Sequence, residues 1–199
     1  MSRQHPKLHL TLVAPALAAL AVLGSSASAL ASDQTPAASD STAAPGTWIE
    51  HEYRFPSMTF TSTYSCNGLI DKVRLLLKTS GARVKSVQPL CSNGYGMPDR
   101  LAQVDIHFST LQPASATTND SASASTTGVW KRVQLSPNRP YDLGLGDCEL
   151  VDRFRAVLLP MFAARDVQNN LRCIPHQLTT PFGLSFEVFA PGPGAAAAH

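Results

Sequence analysis

Apolar and polar positions alternate along several stretches of the chain. Ala102, Val104, Ile106 and Phe108 alternate with Gln103, Asp105, His107 and Ser109, which predicts a strand with one buried and one wet face. Met58, Phe60 and Tyr64 alternate with Thr59, Thr61 and Thr63 in the same way. Val129 to Leu135 and Leu184 to Phe189 are further strand segments, and Val84 to Leu90 and Val167 to Arg172 each lead into a cysteine. Elsewhere the period lengthens. Leu69, Ile70, Val73, Leu76 and Leu77 fall on one helical stripe, and Leu150, Val151, Phe154, Val157, Leu158, Met161 and Phe162 form a second. Ser65 and Asp147 precede the two helices as N-caps, since a side-chain oxygen there can accept from a free first-turn amide. Asp71, Glu149 and Asp152 put negative charge near the helix starts, where the dipole favours it. Gly81 is a stop signal for the first helix, and Pro160 should kink or shorten the second.

The four cysteines repeat this pattern. Cys66 and Cys91 are 25 residues apart, and so are Cys148 and Cys173. Leu69-Ile70-Asp71-Lys72 after the first cysteine matches Leu150-Val151-Asp152-Arg153 once one residue is deleted, and restoring that residue later aligns Gly81-Ala82-Arg83 with Ala163-Ala164-Arg165. The order strand–helix–strand–strand, twice over, predicts an α+β fold. Two β-α-β-β repeats would form a two-layer sandwich, with two helices on one face of a mixed, largely antiparallel sheet, ferredoxin-like in spirit.

The flanking composition sets the expected boundaries. Arg3 and Lys7 precede an apolar run from Leu8 to Leu23, and Ala27-Ser28-Ala29 or Ala29-Leu30-Ala31 fits a cleavage site, so residues 1–31 read as a signal peptide. The run is short for a membrane span, and an uncleaved N-terminal anchor is the alternative. Residues 32–46 and 112–128 are rich in Ala, Ser, Thr and Pro and read as a disordered leader and a disordered loop; residues 191–199 read as a disordered tail. One domain, residues 47–190, then consists of halves 47–111 and 129–190. The chain holds 16 Lys and Arg against 14 Asp and Glu, and the signal segment contains two of the former and none of the latter. The remainder is balanced, which argues against a generic polyanion binder such as a nucleic-acid protein.

An even cysteine count in an exported chain points to disulfides, Cys66–Cys91 and Cys148–Cys173, each closing its own copy. In a right-handed β-α-β crossover the two points lie at one edge of the sheet, whereas a strand inserted between them would disfavour the bridge. The loops are long enough for each bridge to stabilise by about 3.5 kcal/mol. Two other chemistries compete. Cys66 and Cys148 stand at helix starts, where the dipole lowers a thiol pKa, although no C-x-x-C pair exists. Cys148, Cys173 and His176, with His107 as a further candidate, offer a soft set for copper or zinc. The residues favour no metal, no cofactor and no catalytic residue: there is no nucleophile elbow, P-loop or dinucleotide motif, and His51-Glu52-Tyr53-Arg54-Phe55 lacks the second histidine of a zinc protease.

Two loops follow the second cysteines, residues 92–99 and 174–183. If they share one end of the sheet, Tyr95, Met97, His176 and Phe182 form an amphipathic binding patch. The first unit also carries Lys72, Arg74, Lys78, Arg83 and Lys85 against Asp71, a basic face suited to an acidic partner or to solvent. The segment Tyr64-Ser65-Cys66-Asn67-Gly68-Leu69-Ile70-Asp71-Lys72-Val73-Arg74, with Gly81-Ala82-Arg83 and Cys91 after it, resembles a stretch in uncharacterised exported proteins of high-GC proteobacteria. The resemblance covers the first unit and implies a compartment, not an activity. The expected protein is a periplasmic or secreted binding domain without a membrane span after cleavage. Its partner is an envelope or extracellular protein or a small ligand.

Overall fold

The computed structural model describes residues 42–91, 97–99, 101–114, 126–178 and 181–192. The expected signal peptide, most of the leader, most of the 112–128 loop and most of the tail lie outside them. The elements are β1 (Ala44–Pro56), β2 (Tyr64–Ser65), α1 (Cys66–Thr79), β3 (Arg83–Leu90), β4 (Pro98–Asp99), β5 (Gln103–Pro113), β6 (Thr126–Leu135), α2 (Cys148–Val157), β7 (Ala164–Asn170) and β8 (Gly183–Pro191). Short 3-10 turns, Leu145–Asp147 and Leu159–Met161, bracket α2. β3-β5-β1-β6-β8-β7 is one six-stranded sheet, and its neighbouring strands run antiparallel. β2 and β4 make a separate two-stranded ribbon.

The expected α+β two-layer sandwich is the observed architecture, with both helices against one face of the sheet. Leu69, Val73, Leu76 and Leu77 of α1 and Leu150, Val151 and Phe154 of α2 join one core. Its floor is the inward row of each strand: Phe55, Val87, Val104, Ile106, Phe108, Val133, Leu135, Leu184, Phe186 and Val188. The helix stops follow the sequence signals. Gly81 adopts φ +83, Ala82 N–H donates to Leu77 O and Gly81 N–H to Lys78 O, which closes the last turn of α1. α2 ends at Val157, and Pro160 sits in the 3-10 turn that follows.

Several expectations are corrected. The alternation from Met58 to Tyr64 is not a sheet strand: residues 57–63 are irregular, and only Tyr64 of its apolar set is buried. The strand of the first half is β1, in which His51, Tyr53 and Phe55 turn toward the helices while Glu50, Glu52 and Arg54 face outward. The Thr-flanked stretch lacks a partner because β1 already occupies the place beside β5, over the whole length Gly46–Pro56. The leader and loop boundaries also shift, since Ala44, Pro45 and Gly46 pair with Gly128, Thr127 and Thr126, and these three pairs join the two half-sheets. β5 continues through Pro113 and β8 through Pro191.

Two glycines make that seam possible. On the face away from the helices, a Cβ at Gly46 would stand 2.7 Å from Phe189 Cε1 and 3.0 Å from Leu111 Cγ. A Cβ at Gly128 would stand 2.8 Å from Leu111 Cδ2 and closer still to Phe189. Both bulky side chains are buried. Trp130 packs on Phe189 with ring centroids 5.6 Å apart, and Trp48 is the cross-strand neighbour of Leu111. Arg83 lies over the Trp48 ring at 3.9 Å and Arg165 over Trp130 at 4.1 Å, so the outer face carries its own small apolar cluster under two guanidinium lids.

Candidate functional site at the loop end

Both helices start at the same end of the sheet, and a buried polar junction holds the starts together. Tyr64 O–H donates to Asp147 Oδ1 at 2.6 Å, while Lys72 Nζ and Gly144 N–H donate to Asp147 Oδ2, each at 2.7 Å. Asp147 therefore does not cap α2 as expected; its carboxylate is spent on Tyr64 and Lys72 of the first half and on Gly144 of its own. Lys72 also donates to the Asp142 carbonyl. Burial, reinforced by the charge of Asp147, holds the Tyr64 phenol well above its ordinary range. Ser65 does cap α1, accepting from Gly68 N–H at 3.1 Å.

The disulfides pin the same end. Cys66–Cys91 and Cys148–Cys173 are both formed, with Cα atoms 6.3 and 5.6 Å apart. The route differs from the expected one, because β5 lies between β1 and β3, and β8 between β6 and β7. Such an insertion should disfavour the bridge if the first cysteine sat at the strand end. It does not: residues 57–65 and 136–147 carry the chain from the end of β1 or β6 to its helix start, so the cysteines still meet.

Glu149, at the start of α2, reaches the irregular segment instead of merely complementing the helix dipole. It accepts from Phe60 N–H at 2.7 Å and Thr61 N–H at 3.0 Å. Thr61 Oγ1 in turn accepts from His176 N–H at 3.1 Å, and Ser62 Oγ donates to Gly146 O at 2.9 Å. Segment 57–63, the turn Leu145–Asp147 and segment 171–178 thus form one surface. Phe60 is 67% exposed, Leu178 56%, Ile174 46% and Leu145 45%. Met58 is also exposed, and the backbone beside it, Ser57 N–H, donates to Ala102 O next to exposed Leu101.

The expected patch is partly placed here. His176 is exposed, with its ring edge-on to Phe60 at 6.5 Å. Met97 is 64% exposed beside the β2–β4 ribbon, and Tyr95 lies outside the described residues. Phe182 is 4% exposed and belongs to the core, so it is no part of a surface; it precedes β8 and plugs the sandwich where the chain enters. Phe60, Ile174, Leu178 and Leu145 were missed. Their signal in the sequence is a single large apolar residue amid Thr, Pro and Gly, with no period to bury it.

The other expected groups are engaged elsewhere. With its sulfurs bonded to each other, the set Cys148, Cys173 and His176 offers one imidazole and no thiolate. Among the described residues no cysteine is free and no three His, Cys, Asp or Glu side chains gather as a metal set. His107 faces outward and pairs with Glu52 at 3.1 Å. The basic face of the first unit is broken up: Lys72 turns in to Asp147, Arg83 covers Trp48, and Lys85 pairs with Glu50 at 2.5 Å. Lys85 in turn holds the Glu50 carboxyl below its usual range. No helix among the described residues is long and apolar enough to cross a membrane.

Fold and site together define a disulfide-clamped α+β sandwich that presents apolar loops at one end. Comparison with protein-family models, curated proteins and solved structures finds no match.

Proposed function

We propose that this chain is an exported, non-enzymatic binding domain whose loop end docks on a protein of the envelope or the extracellular space. The observation that carries the reading is the gathering of Phe60, Leu145, Ile174 and Leu178, all exposed, on loops held by one disulfide and by the Glu149 and Thr61 hydrogen bonds. Rigid loops lose little freedom on binding, and exposed apolar side chains at a pinned end favour association. Two intact disulfides fit an oxidising compartment, and the apolar start with its small-residue cleavage motifs supports export.

Internal duplication accounts for the scaffold. Gly46 and Gly128, Trp48 and Trp130, Cys66 and Cys148, Arg83 and Arg165, and Cys91 and Cys173 each differ by the same 82 positions (130 − 48, for example). The strand order also reads alike from either edge of the sheet. The test is a photo-crosslinking residue at position 60 or 174, with position 127 at the opposite end of β6 as control. The expected result is one discrete adduct from positions 60 and 174 that Leu178→Ser weakens and that reforms with the purified partner. Equal adducts from position 127, or none from the loop end, would overturn the proposal.

A further inference from the structure

Each half carries a shallow groove on the face away from its helix, at corresponding places. In the first half the groove is about 390 Å³ and is lined by Glu52, Arg54, Asp105 and His107. These groups close on one another: Arg54 Nε meets Asp105 Oδ1 at 3.0 Å, and His107 Nδ1 meets Glu52 Oε1 at 3.1 Å. In the second half the groove is about 360 Å³. Gln134 and Ser185 stand as cross-strand neighbours where Glu52 and His107 stand in the first, and edge strand β7 adds Gln168 and Asn170. None of the lining residues is ionisable.

We propose that the groove of the second half binds a neutral saccharide. A carboxamide presents a donor and an acceptor side by side, and so matches the paired donor–acceptor hydroxyls of a sugar ring. Among the described residues, the side chains of Gln168 and Asn170 have no hydrogen-bond partner, so their donors and acceptors remain open to the groove. Gly183, the cross-strand neighbour of Asn170, has nothing within 4 Å of where a Cβ would be, which leaves room for a ring over the backbone. No lining residue carries a charge; Arg139 and Arg132 reach Gln134 Oε1 and Ser185 Oγ from the rim at 3.4 and 3.5 Å, which leaves Gln168 and Asn170 as the open polar groups, while the four charged groups of the corresponding groove are already paired. The volume falls within the ~300–1,000 Å³ of small-ligand clefts.

The experiment follows the side-chain amide resonances of the ¹⁵N-labelled full chain during titration with chitotetraose, cellotetraose and maltotetraose. At least one should shift the amides of Gln134, Gln168 and Asn170 saturably, and Gln168→Ala with Asn170→Ala should weaken that binding about tenfold. Both positions are exposed, and Gln168→Ala and Asn170→Ala leave the core untouched. The proposal fails if none of the three sugars gives a saturable shift up to roughly 10 mM. It also fails if the double variant binds equally well, or if a hyaluronan tetrasaccharide binds more tightly than the neutral ones.

Discussion

Gly128→Ala tests the seam between the half-sheets. The added methyl group would stand 2.8 Å from Leu111 Cδ2 and closer to the Phe189 ring. Neither neighbour can retreat easily, since Leu111 and Phe189 are 1% and 2% exposed and Trp130 backs the ring at 5.6 Å. Overpacking of this kind costs about 1–3 kcal/mol. Replacing glycine at an ordinary φ returns roughly 0.4–1 kcal/mol through the unfolded chain, which at the middle of both ranges leaves a net loss of about 1.3 kcal/mol. For a domain of this size that lowers Tm by about 3–6 °C. Urea unfolding followed by tryptophan fluorescence suits the question, because the two tryptophans of the chain, Trp48 and Trp130, both border the seam. In the Phe189→Leu background the ring is gone, and the alanine should cost less than it does alone. Gly183→Ala, with open space above it, is the control and should be neutral or mildly stabilising. A Gly128→Ala protein as stable as the parent, or a penalty unchanged by Phe189→Leu, would refute the packing account.

Three further outcomes are expected. Removing either disulfide as a Cys-to-Ala pair should cost about 3.5 kcal/mol, similar for the two because both loops span 25 residues; denaturant midpoints of the two variants measure it. Asp147→Ala should destabilise by about 2–4 kcal/mol, since it strands the buried Tyr64 hydroxyl and the partly buried Lys72 ammonium, and Tyr64→Phe in that background should add little. His51 packs beside Phe108, its Nε2 lies 2.9 Å from Thr110 Oγ1, and burial holds its pKa below the usual imidazole range. The unfolded chain therefore takes up the proton first, so stability should fall as the pH drops through about 6.5 and level off below the folded pKa, and His51→Gln should flatten that portion of the profile.

Periodicity made both helices legible, together with β3, β5, β6 and β8, because each has a face that meets the core and a face that does not. β1 carries the same alternation, from His51 to Phe55, but its outward Glu50, Glu52 and Arg54 make the stretch look like a charged connector. The cysteine pairing followed from an even count and from equal spacing within two copies whose flanking residues match. Asp147 looked like a cap because caps are local, whereas two of its three partners, Tyr64 and Lys72, belong to the other half and no local pattern encodes them. The apolar loop residues were hidden for a related reason: position in a Thr-rich stretch predicts either a strand or a loop, and only the occupied flank of β5 decides. Phe182 went astray in the opposite direction, an aromatic beside Pro181 and Gly183 that reads as loop surface yet fills the core.

Ala44 pairs with Gly128, and Gly128 pairs with Pro191 on its other side. The first residue of β1 and the last of β8 are thus two strand spacings apart, roughly 10 Å. A few glycines could bridge them, and new termini could be cut between Ala114 and Thr126, giving a circular permutant in which the second half is translated first. Either half can lead in such a molecule, and which one does becomes a matter of synthesis order, not of architecture.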